Sequence, residues 1–383
     1  MGRVRCKYWR DPARPNHRDM RILALVTDAF GGHGGIAQYN RDLLTALSAS
    51  HRTDGIICLP RQGTSAAERL PPKIDQLAPV PGRAAYGLAA LRLALRRQRF
   101  DVVFCGHLYH MPLAVPVARI CRAPIWLQLH GVEAWVRPGR AVQMAVPHAD
   151  LVTSVSRYTR DRFLAWSGVA PSRNQILPNT YDPRYTPGAK PLQLTRRHGL
   201  EGRKTILTVS RLSAEERYKG HDKIIAVLPE VLRQRPETTY LIVGDGDDRP
   251  RLEQLAVHAG VSAQVVFAGR VPDDALIDYY RLADVFAMPS TGEGFGIVFL
   301  EAAATGLPVI GGNRDGSVDA LADGKIGLLV DPDNPAQLAN ALLTSLSRGR
   351  VPYGSAVQFD RAHFTARVDD LLGHIQCALL DGR

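Results

Sequence analysis

The sequence predicts an α/β fold in which two doubly wound parallel sheets face a central cleft. Two observations carry this prediction: short apolar runs alternate with helical stretches from Met20 onwards, and a proline-rich segment at 178–187 interrupts the alternation before it restarts. The length of 383 residues agrees, since a domain holds about 100–200 residues. Ligands of such sheets bind at the carboxyl ends of the strands, so we expect the functional residues there.

The first half contains six apolar runs of strand length. They lie at 21–27, 55–59, 101–105, 124–129, 151–155 and 174–177, and helical stretches lie between them at 36–49, 83–99, 111–120, 139–146 and 156–167. The first domain is therefore expected at 20–186. Residues 1–19 carry six basic and two acidic side chains and no continuous apolar segment, which predicts a disordered basic tail rather than an export signal.

The second half repeats the pattern after the three prolines of the linker. Strands are expected at 205–210, 239–243, 264–268, 284–287, 308–310 and 327–330, and helices at 219–235, 248–259, 272–282, 295–305 and 334–347. This predicts a second domain at 187–358. An amphipathic pattern from Phe359 to Leu380 predicts a last helix, within 359–383, that packs back over the first domain.

Charge and cysteine usage narrow the class of protein. Residues 1–195 carry 27 basic and 12 acidic side chains, whereas residues 196–383 carry 21 and 25. This split argues against nucleic-acid wrapping and favours an anionic surface or substrate at the first half. No apolar run approaches the roughly 18 residues of a membrane span. The five scattered cysteines have no C-x-x-C spacing, indicate neither a disulfide framework nor a zinc site, and fit a reducing cytosol.

A glycine-rich loop follows the first strand and opens the first helix. The run Gly31-Gly-His-Gly34-Gly35 would let the backbone approach a ligand and aim N–H groups at a phosphate. A tight structural turn is the alternative interpretation, but four glycines in five residues exceed what a plain turn requires. Gly32-x-Gly34-x-x-Ala37 also matches the dinucleotide fingerprint, but the second strand ends at Pro60-Arg61 without the acidic residue that would bind a ribose.

Four charged residues form the second candidate cluster. Arg211 and Lys219 lie at the carboxyl edge of the second sheet, where two long cations could clamp a diphosphate. Glu293 lies in a glycine loop before a helix, and Glu301 lies eight residues on, about 80° away around that helix. A carboxylate in so apolar a helix is costly unless something binds it, and a sugar hydroxyl would serve.

An acidic run, Asp245-Gly-Asp247-Asp248, offers a competing metal-site interpretation. It looks like the D-x-D motif of metal-dependent transferases. Because it joins a strand to helix 248–259, turn formation and helix capping explain it better.

Taken together, these motifs resemble those of family 4 retaining glycosyltransferases, which have the GT-B fold of two Rossmann-like domains. The resemblance rests on Ser210-Arg211-Leu212 with Lys219-Gly220, on Leu241-Ile-Val-Gly244-Asp-Gly246 and on Glu293-x7-Glu301 within Pro-Ser…Glu-Gly-Phe-Gly. Gly34-Gly35, Leu129-His130-Gly131 and Pro178-Asn179 extend it over about residues 20–350. It implies hexose transfer from a nucleotide diphosphate sugar with retention of configuration, without an essential metal or cofactor.

The resemblance also implies roles for individual residues. Arg211 and Lys219 would hold the diphosphate and neutralise the leaving group, Glu293 would bind the transferred sugar and Glu301 the ribose, and His130 would contact the donor sugar and orient the acceptor. The catalytic set that the resemblance implies is therefore His130, Arg211, Lys219 and Glu293. The remaining donor contacts would come from Gly34, Gly35, Gly294, Phe295 and Gly296. The segment Ile310–Ser317 departs from the family pattern, and backbone amides at Gly316 and Ser317 are expected to meet the phosphate or sugar. Neither the base (GDP or UDP) nor the sugar follows from a residue; general resemblance favours GDP-mannose.

Helix 83–99 carries five arginines and no acidic residue. Ala84, Leu88, Leu91 and Leu95 form an apolar stripe beside Arg92, Arg96, Arg97 and Arg99. The stripe either packs on the sheet, as in any surface helix, or meets anionic lipid headgroups. With family members that build cell-envelope glycans, this predicts a peripheral protein on the inner face of the cell membrane and a lipid-linked or glycan acceptor.

Three alternatives stay open on the sequence. One is a synthase of the same fold with a soluble acceptor, another is a non-catalytic protein that binds nucleotide sugars or anionic lipids, and the third is a nicotinamide enzyme. A pure binder does not need the whole set of Arg211, Lys219, Glu293 and Glu301.

Overall fold

The computed structural model describes residues 19–64, 70–96, 99–350, 354 and 356–381. These residues form two compact units. The first comprises the chain up to Ser154, Arg160–Leu177 and the chain from Ala362 onwards; the second comprises Val155–Thr159 and Pro178–Arg361. The expected tail at 1–19 lies outside the described residues except for Asp19. No helix in the described chain is long and apolar enough to cross a membrane.

A seven-stranded parallel sheet forms the centre of the first unit. Its strands are β1 (Met20–Val26), β2 (Thr53–Pro60), β3 (Ile74–Gln76), β4 (Val102–Cys105), β5 (Ile125–Leu129), β6 (Leu151–Ser154) and β7 (Asn174–Ile176), in the order β3-β2-β1-β4-β5-β6-β7. In β1 every residue but Arg21 is buried, as a parallel strand covered on both faces requires. The short strand β3 was not expected from the sequence.

Helices cover this sheet on both faces. They are α1 (Gly35–Ala49), α2 (Arg83–Ala94), α3 (Met111–Cys121), α4 (Arg140–Ala145) and α5 (Arg157–Ser167). One core joins α2, α3 and α4 to Leu23, Leu25, Val103 and Leu127, so these three helices share a face of the sheet.

The second unit contains a six-stranded parallel sheet. Its strands are β8 (Lys204–Val209), β9 (Thr238–Val243), β10 (Val265–Gly269), β11 (Val285–Met288), β12 (Val309–Gly312) and β13 (Leu328–Val330), in the order β10-β9-β8-β11-β12-β13. Its helices are α6 (Leu192–Arg197), α7 (His221–Gln234), α8 (Arg249–His258), α9 (Leu276–Leu282), α10 (Ile297–Ala304), α11 (Ser317–Ala320) and α12 (Pro335–Arg348). The short helices α6 and α11 were not expected.

Local sequence explains several boundaries. Asn334 caps α12, because its side chain accepts a hydrogen bond from the Gln337 N–H, and Pro335 fits the first turn. Segment 178–187 contains neither helix nor strand. The last helix, α13 (Arg361–Asp381), belongs to the first unit, where Ser50 donates to Asp369 at 2.5 Å and Arg52 donates to Gln376 at 2.7 Å.

Helix α2 differs from its prediction in length and orientation. It ends at Ala94 rather than at residue 99, and Tyr86, Ala90, Leu93 and Ala94 form its buried face. Of the two interpretations of the apolar stripe, packing on the sheet is wrong for most of it, since Leu88 is 50% and Leu95 is 71% exposed. Contacts with the strands of the sheet bury the helix face that carries Tyr86. Helical periodicity alone could not distinguish this face from the one that carries Leu88 and Leu95.

Candidate active site

Two loops of the second unit bring Lys219 and Glu293 together. A 3-10 turn over Ala214–Lys219 follows β8 and ends at Gly220, whose φ of 79° favours glycine. A Cβ at Gly220 would lie 2.5 Å from the Pro289 carbonyl oxygen, so only glycine lets the turn approach the loop after β11 this closely. The Lys219 Nζ consequently lies 2.5 Å from the Glu293 Oε1.

This ion pair is largely shielded from water. The side chains of Lys219 and Glu293 are only 13% and 12% exposed. Burial alone would lower the pKa of Lys219, but the attraction of Glu293, helped by Tyr218 and Glu216, outweighs it and raises the pKa above its ordinary value. The lysine is therefore a permanent positive charge at neutral pH.

A third carboxylate links Lys219 to Arg211. The Arg211 guanidinium is 78% exposed and pairs with the Glu216 Oε1, while the Glu216 Oε2 lies 3.7 Å from the Lys219 Nζ. The two predicted cations therefore lie around one carboxylate. Sequence reasoning missed Glu216, because nothing in an exposed-looking Glu-Glu pair distinguishes its second member.

Asp315 holds the loop that carries Glu293. Its buried carboxylate accepts from the Glu293 N–H at 2.7 Å, from the Ser290 hydroxyl at 2.7 Å and from the Ser317 N–H at 2.9 Å. The Gly316 N–H in turn donates to the Glu293 carbonyl at 2.9 Å. The expectation that the Gly316 and Ser317 amides meet a ligand is therefore wrong: both are used inside the protein to fix this loop.

The glycine loop before α10 exposes backbone rather than a side chain. Phe295 is buried and packs edge-to-face against Phe359 at 5.7 Å, so its ring has no free face for a donor. Ser156 anchors the loop by donating to the Gly294 carbonyl at 2.6 Å. Among the residues that the structure describes, no acceptor binds the N–H groups of Gly294 and Gly296, which precede the positive end of α10.

Two tyrosine hydroxyls form hydrogen bonds with the carboxylate of Glu301. The Tyr280 hydroxyl donates to its Oε2 at 2.7 Å, and Tyr185 contributes a second hydrogen bond. Burial raises the pKa of Glu301 to about 7, although both tyrosines oppose the shift. The carboxyl group therefore changes charge near neutral pH, which its position in an apolar helix did not reveal.

The acidic run after β9 serves the fold. Asp247 accepts from the Ala214 N–H at 2.9 Å, and Asp248 pairs with Arg217 at 2.8 Å and Arg251 at 2.5 Å. These contacts hold the turn that carries Lys219. In the described part of the chain, no group of three or more His, Cys, Asp or Glu side chains is arranged to hold a metal ion.

In the first unit, the glycine loop after β1 closes over the half-buried carboxylate of Asp28, which sequence reasoning missed. A Cβ at Gly32 would lie 2.0 Å from the Asp28 carboxylate, and one at Gly63 would lie 2.5 Å from it. Gly34, with a φ of 91°, and Gly35 have open space around them instead. The loop is thus tight at Gly32 and accessible at the two glycines that were expected to meet a ligand.

His130 lies among other histidines at the carboxyl edge of the first sheet. Its Nε2 donates to the Gly106 carbonyl at 2.9 Å, which places the ring proton there and leaves Nδ1 as an acceptor. Burial lowers the pKa of His130, so the ring is neutral. His107 lies 6.3 Å away between ring centroids, and the pKa of the buried His110 falls to about 4. The motif Gly106-His-Leu-Tyr-His110 after β4 could have indicated this cluster.

The outer surface of α2, α3 and α4 is basic and partly apolar. Residues 77–149 contain nine arginines and only two acidic residues, Asp101 and Glu133. Leu95, directly after α2, is 71% exposed, and Ile120 in α3 and Met144 in α4 are 41% and 76% exposed. Arg92, Arg96 and Arg99 are exposed as well, and Arg97 lies outside the described residues.

Two family models match the chain. The model "Glycosyltransferase Family 4" matches residues 33–185, and the model "Glycosyl transferases group 1" matches residues 193–353. Each model thus falls on one half of the chain, and the second contains Arg211, Lys219, Glu293 and Glu301.

Relatives and solved structures agree with these matches. A GDP-mannose-dependent alpha-(1-6)-phosphatidylinositol monomannoside mannosyltransferase of Mycobacterium tuberculosis is 35% identical over 66% of this chain and 68% of its own. A GDP-mannose-dependent mannosyltransferase of Corynebacterium glutamicum, acting on a monoacylated form of that lipid, is 28% identical over 90% and 94%. The crystal structure of HepE from Anabaena with UDP and glucose has a TM-score of 0.75 at 20% identity, over 93% and 100% of the two chains. The chain therefore belongs to the family 4 glycosyltransferases, with their GT-B fold.

Proposed function

We propose that this protein transfers mannose from GDP-mannose to a lipid-linked saccharide of the phosphatidylinositol type. The observation that carries the proposal is the buried pair of Lys219 and Glu293, 2.5 Å apart and joined to Arg211 through Glu216. The names of the Mycobacterium and Corynebacterium relatives support the choice of base, sugar and acceptor. The soluble-acceptor and binding-protein alternatives gain no support from these names.

The donor is expected to bind the second unit through opposite charges. Arg211 and Lys219 neutralise the diphosphate and stabilise the charge that develops on the leaving phosphate. The free N–H groups of Gly294 and Gly296 add hydrogen bonds at the start of α10. Glu293 accepts from hydroxyls of the mannose, and Glu301, once ionised, accepts from the ribose hydroxyls.

We infer a retaining mechanism in which the leaving group itself takes the proton. The bond between the anomeric carbon and the phosphate oxygen breaks, and the acceptor oxygen bonds to the same face of that carbon. The acceptor's hydroxyl proton passes to the departing phosphate oxygen. Glu293 is neutralised by Lys219 and held by its loop, which suits it to bind hydroxyls better than to attack carbon.

The reaction is proposed to need no metal. Arg211 and Lys219 supply the positive charge that a divalent ion supplies elsewhere. The acidic run that resembles a metal motif is occupied by Ala214, Arg217 and Arg251.

The first unit is proposed to bind the acceptor at a membrane. His130 offers its Nδ1 as an acceptor to a sugar hydroxyl, and Gly34 and Gly35 leave room for a ligand beside α1. The basic outer surface of α2, α3 and α4 suits anionic headgroups, with Leu88 and Leu95 reaching the acyl boundary. This supports a peripheral protein on the inner face of the cell membrane.

A nucleotide screen tests the donor assignment. Thermal unfolding is followed with GDP, UDP and ADP and with their sugar conjugates. A ligand at 100 times its dissociation constant adds about 2.7 kcal/mol of stability. We expect GDP and GDP-mannose to raise the melting temperature most; equal or absent shifts with all three bases would contradict the proposal.

A further inference from the structure

Glu216 occupies the place between the two cations that the proposed function assigns to the diphosphate. Its carboxylate pairs with Arg211 through one oxygen and lies 3.7 Å from Lys219 through the other. Its side chain is only 14% exposed. Among the described residues, Glu216 is the one carboxylate within ion-pair distance of Arg211.

The two cations differ in how much they depend on Glu216. Lys219 has a second and much closer partner in Glu293, at 2.5 Å, and keeps it when Glu216 leaves. The Glu216 Oε2 is buried yet accepts no hydrogen bond within the described chain, although a carboxylate can accept about four. Glu216 is therefore poorly satisfied in this position, which lowers the cost of displacing it.

The backbone contacts around Glu216 also allow its side chain to move. The turn Ala214–Lys219 is interrupted there, with φ −111° and ψ 25°, between residues of helical conformation. The contacts that anchor the turn do not use the Glu216 side chain: Ser213 caps the start by accepting from the Glu215 N–H, the Ser213 carbonyl accepts from the Glu216 N–H at 2.9 Å, and Asp247 binds the Ala214 N–H. The side chain can consequently swing away without loss of the contacts that hold Lys219.

We propose that Glu216 is an internal competitor of the donor, a positioning residue that holds Arg211 and Lys219 in the donor-free protein and is displaced by the diphosphate. The inference rests on the proposed donor site. A diphosphate has two phosphate groups and can pair with Arg211 and Lys219 at once, whereas a monophosphate has only one, so a nucleoside diphosphate displaces Glu216 more readily than a monophosphate does. The same carboxylate returns after transfer and helps to release the product diphosphate.

Calorimetric titration of the full-length protein with GDP and with GMP tests this proposal. Glu216→Gln keeps the shape but not the charge, and we expect it to bind GDP about tenfold more tightly, the worth of one charge-assisted hydrogen bond, with GMP affinity nearly unchanged. Glu215→Gln removes the exposed neighbouring charge and should match the wild type. In turnover, Glu216→Gln should show a lower KM for the donor and stronger inhibition by GDP.

The same titration can also overturn the proposal. If Glu216 merely braced the cations, Glu216→Gln would bind GDP as the wild type does or more weakly, which overturns the proposal. Glu216→Ala provides a second variant with the same expected sign, and thermal unfolding verifies that both fold. A wild type that binds neither GDP nor UDP would instead refute the donor site itself, so the two failures are distinguishable.

Discussion

At the scale of single residues, the proposed donor chemistry depends most on Lys219. Replacing it by alanine removes the buried cation of the proposed diphosphate site, so we expect kcat to fall by about 10²–10³-fold or more. Lys223→Ala, in α7, removes only the ion pair with Asp333 and should leave kcat near the wild-type value. Steady-state kinetics with a saturating donor separates these outcomes, and wild-type kcat in Lys219→Ala would refute the phosphate role.

Glu301 gives the site a pH dependence of predictable sign. Because its pKa is raised to about 7, the group loses its proton as the pH rises through neutrality. In the proposed donor complex, the ionised group then accepts from the ribose. Affinity for GDP-mannose should therefore fall as the pH drops from about 8 to about 6, by up to about tenfold per unit below the pKa. GDP-mannose suits the titration, since its phosphates carry no group that titrates there. Glu301→Gln should flatten the profile; an unchanged profile would exclude Glu301 as its source.

At the scale of elements, the segment between β12 and α11 fixes the loop of Glu293. Asp315→Asn leaves one oxygen where two now accept three hydrogen bonds, so we expect a loss of about 2 kcal/mol in the free energy of unfolding. The donor KM should rise as well, because Glu293 is no longer held. Asp274→Asn removes an exposed carboxylate and is the matched control. Equal stability and equal KM in the two variants would show that Asp315 does not position the loop.

The elements also show what the sequence could and could not predict. Long apolar runs such as β1 and β9 and strongly periodic helices such as α7 were predicted, because burial on both faces or on one face leaves a clear pattern. Strand β3 is three residues long and pairs with β2 through its backbone, which no side-chain pattern records. The orientation of α2 depended on which of two apolar faces met the sheet.

The candidate site likewise contains residues that the sequence could predict and residues that it could not. Arg211, Lys219, Glu293 and Glu301 were identifiable because each departs from its local surroundings or belongs to a motif. Glu216, Asp315 and the tyrosines around Glu301 were not. Asp315 and Tyr280 reach the site across 22 and 21 residues of sequence only after the sheet has formed, whereas Glu216 lies five residues from Arg211 and resembles any exposed member of a Glu-Glu pair. Positioning residues of this kind leave no trace at a fixed spacing.

At the scale of the whole molecule, positive charge is concentrated on the outer surface of α2, α3 and α4, within residues 77–149. Replacing Arg92, Arg96 and Arg99 by glutamine should weaken binding to anionic phospholipid vesicles by about 3 kcal/mol, at about 1 kcal/mol per arginine. The same charge change at Arg196, Arg197 and Arg203 in the second unit is the control and should have little effect. Cosedimentation at low and high salt measures both; equal losses would indicate bulk charge rather than a specific surface.

The most direct test of the account is transfer of radiolabelled mannose from GDP-mannose to a phosphatidylinositol monomannoside, with product analysis by NMR. We predict an α-linked mannose in the lipid product with the wild type and with Lys223→Ala, and a loss of at least about 10²-fold with Lys219→Ala. Transfer with inversion, or transfer that survives the loss of Lys219, would contradict the proposed donor chemistry. No transfer from GDP-mannose beside transfer from another nucleotide sugar would contradict the assigned donor.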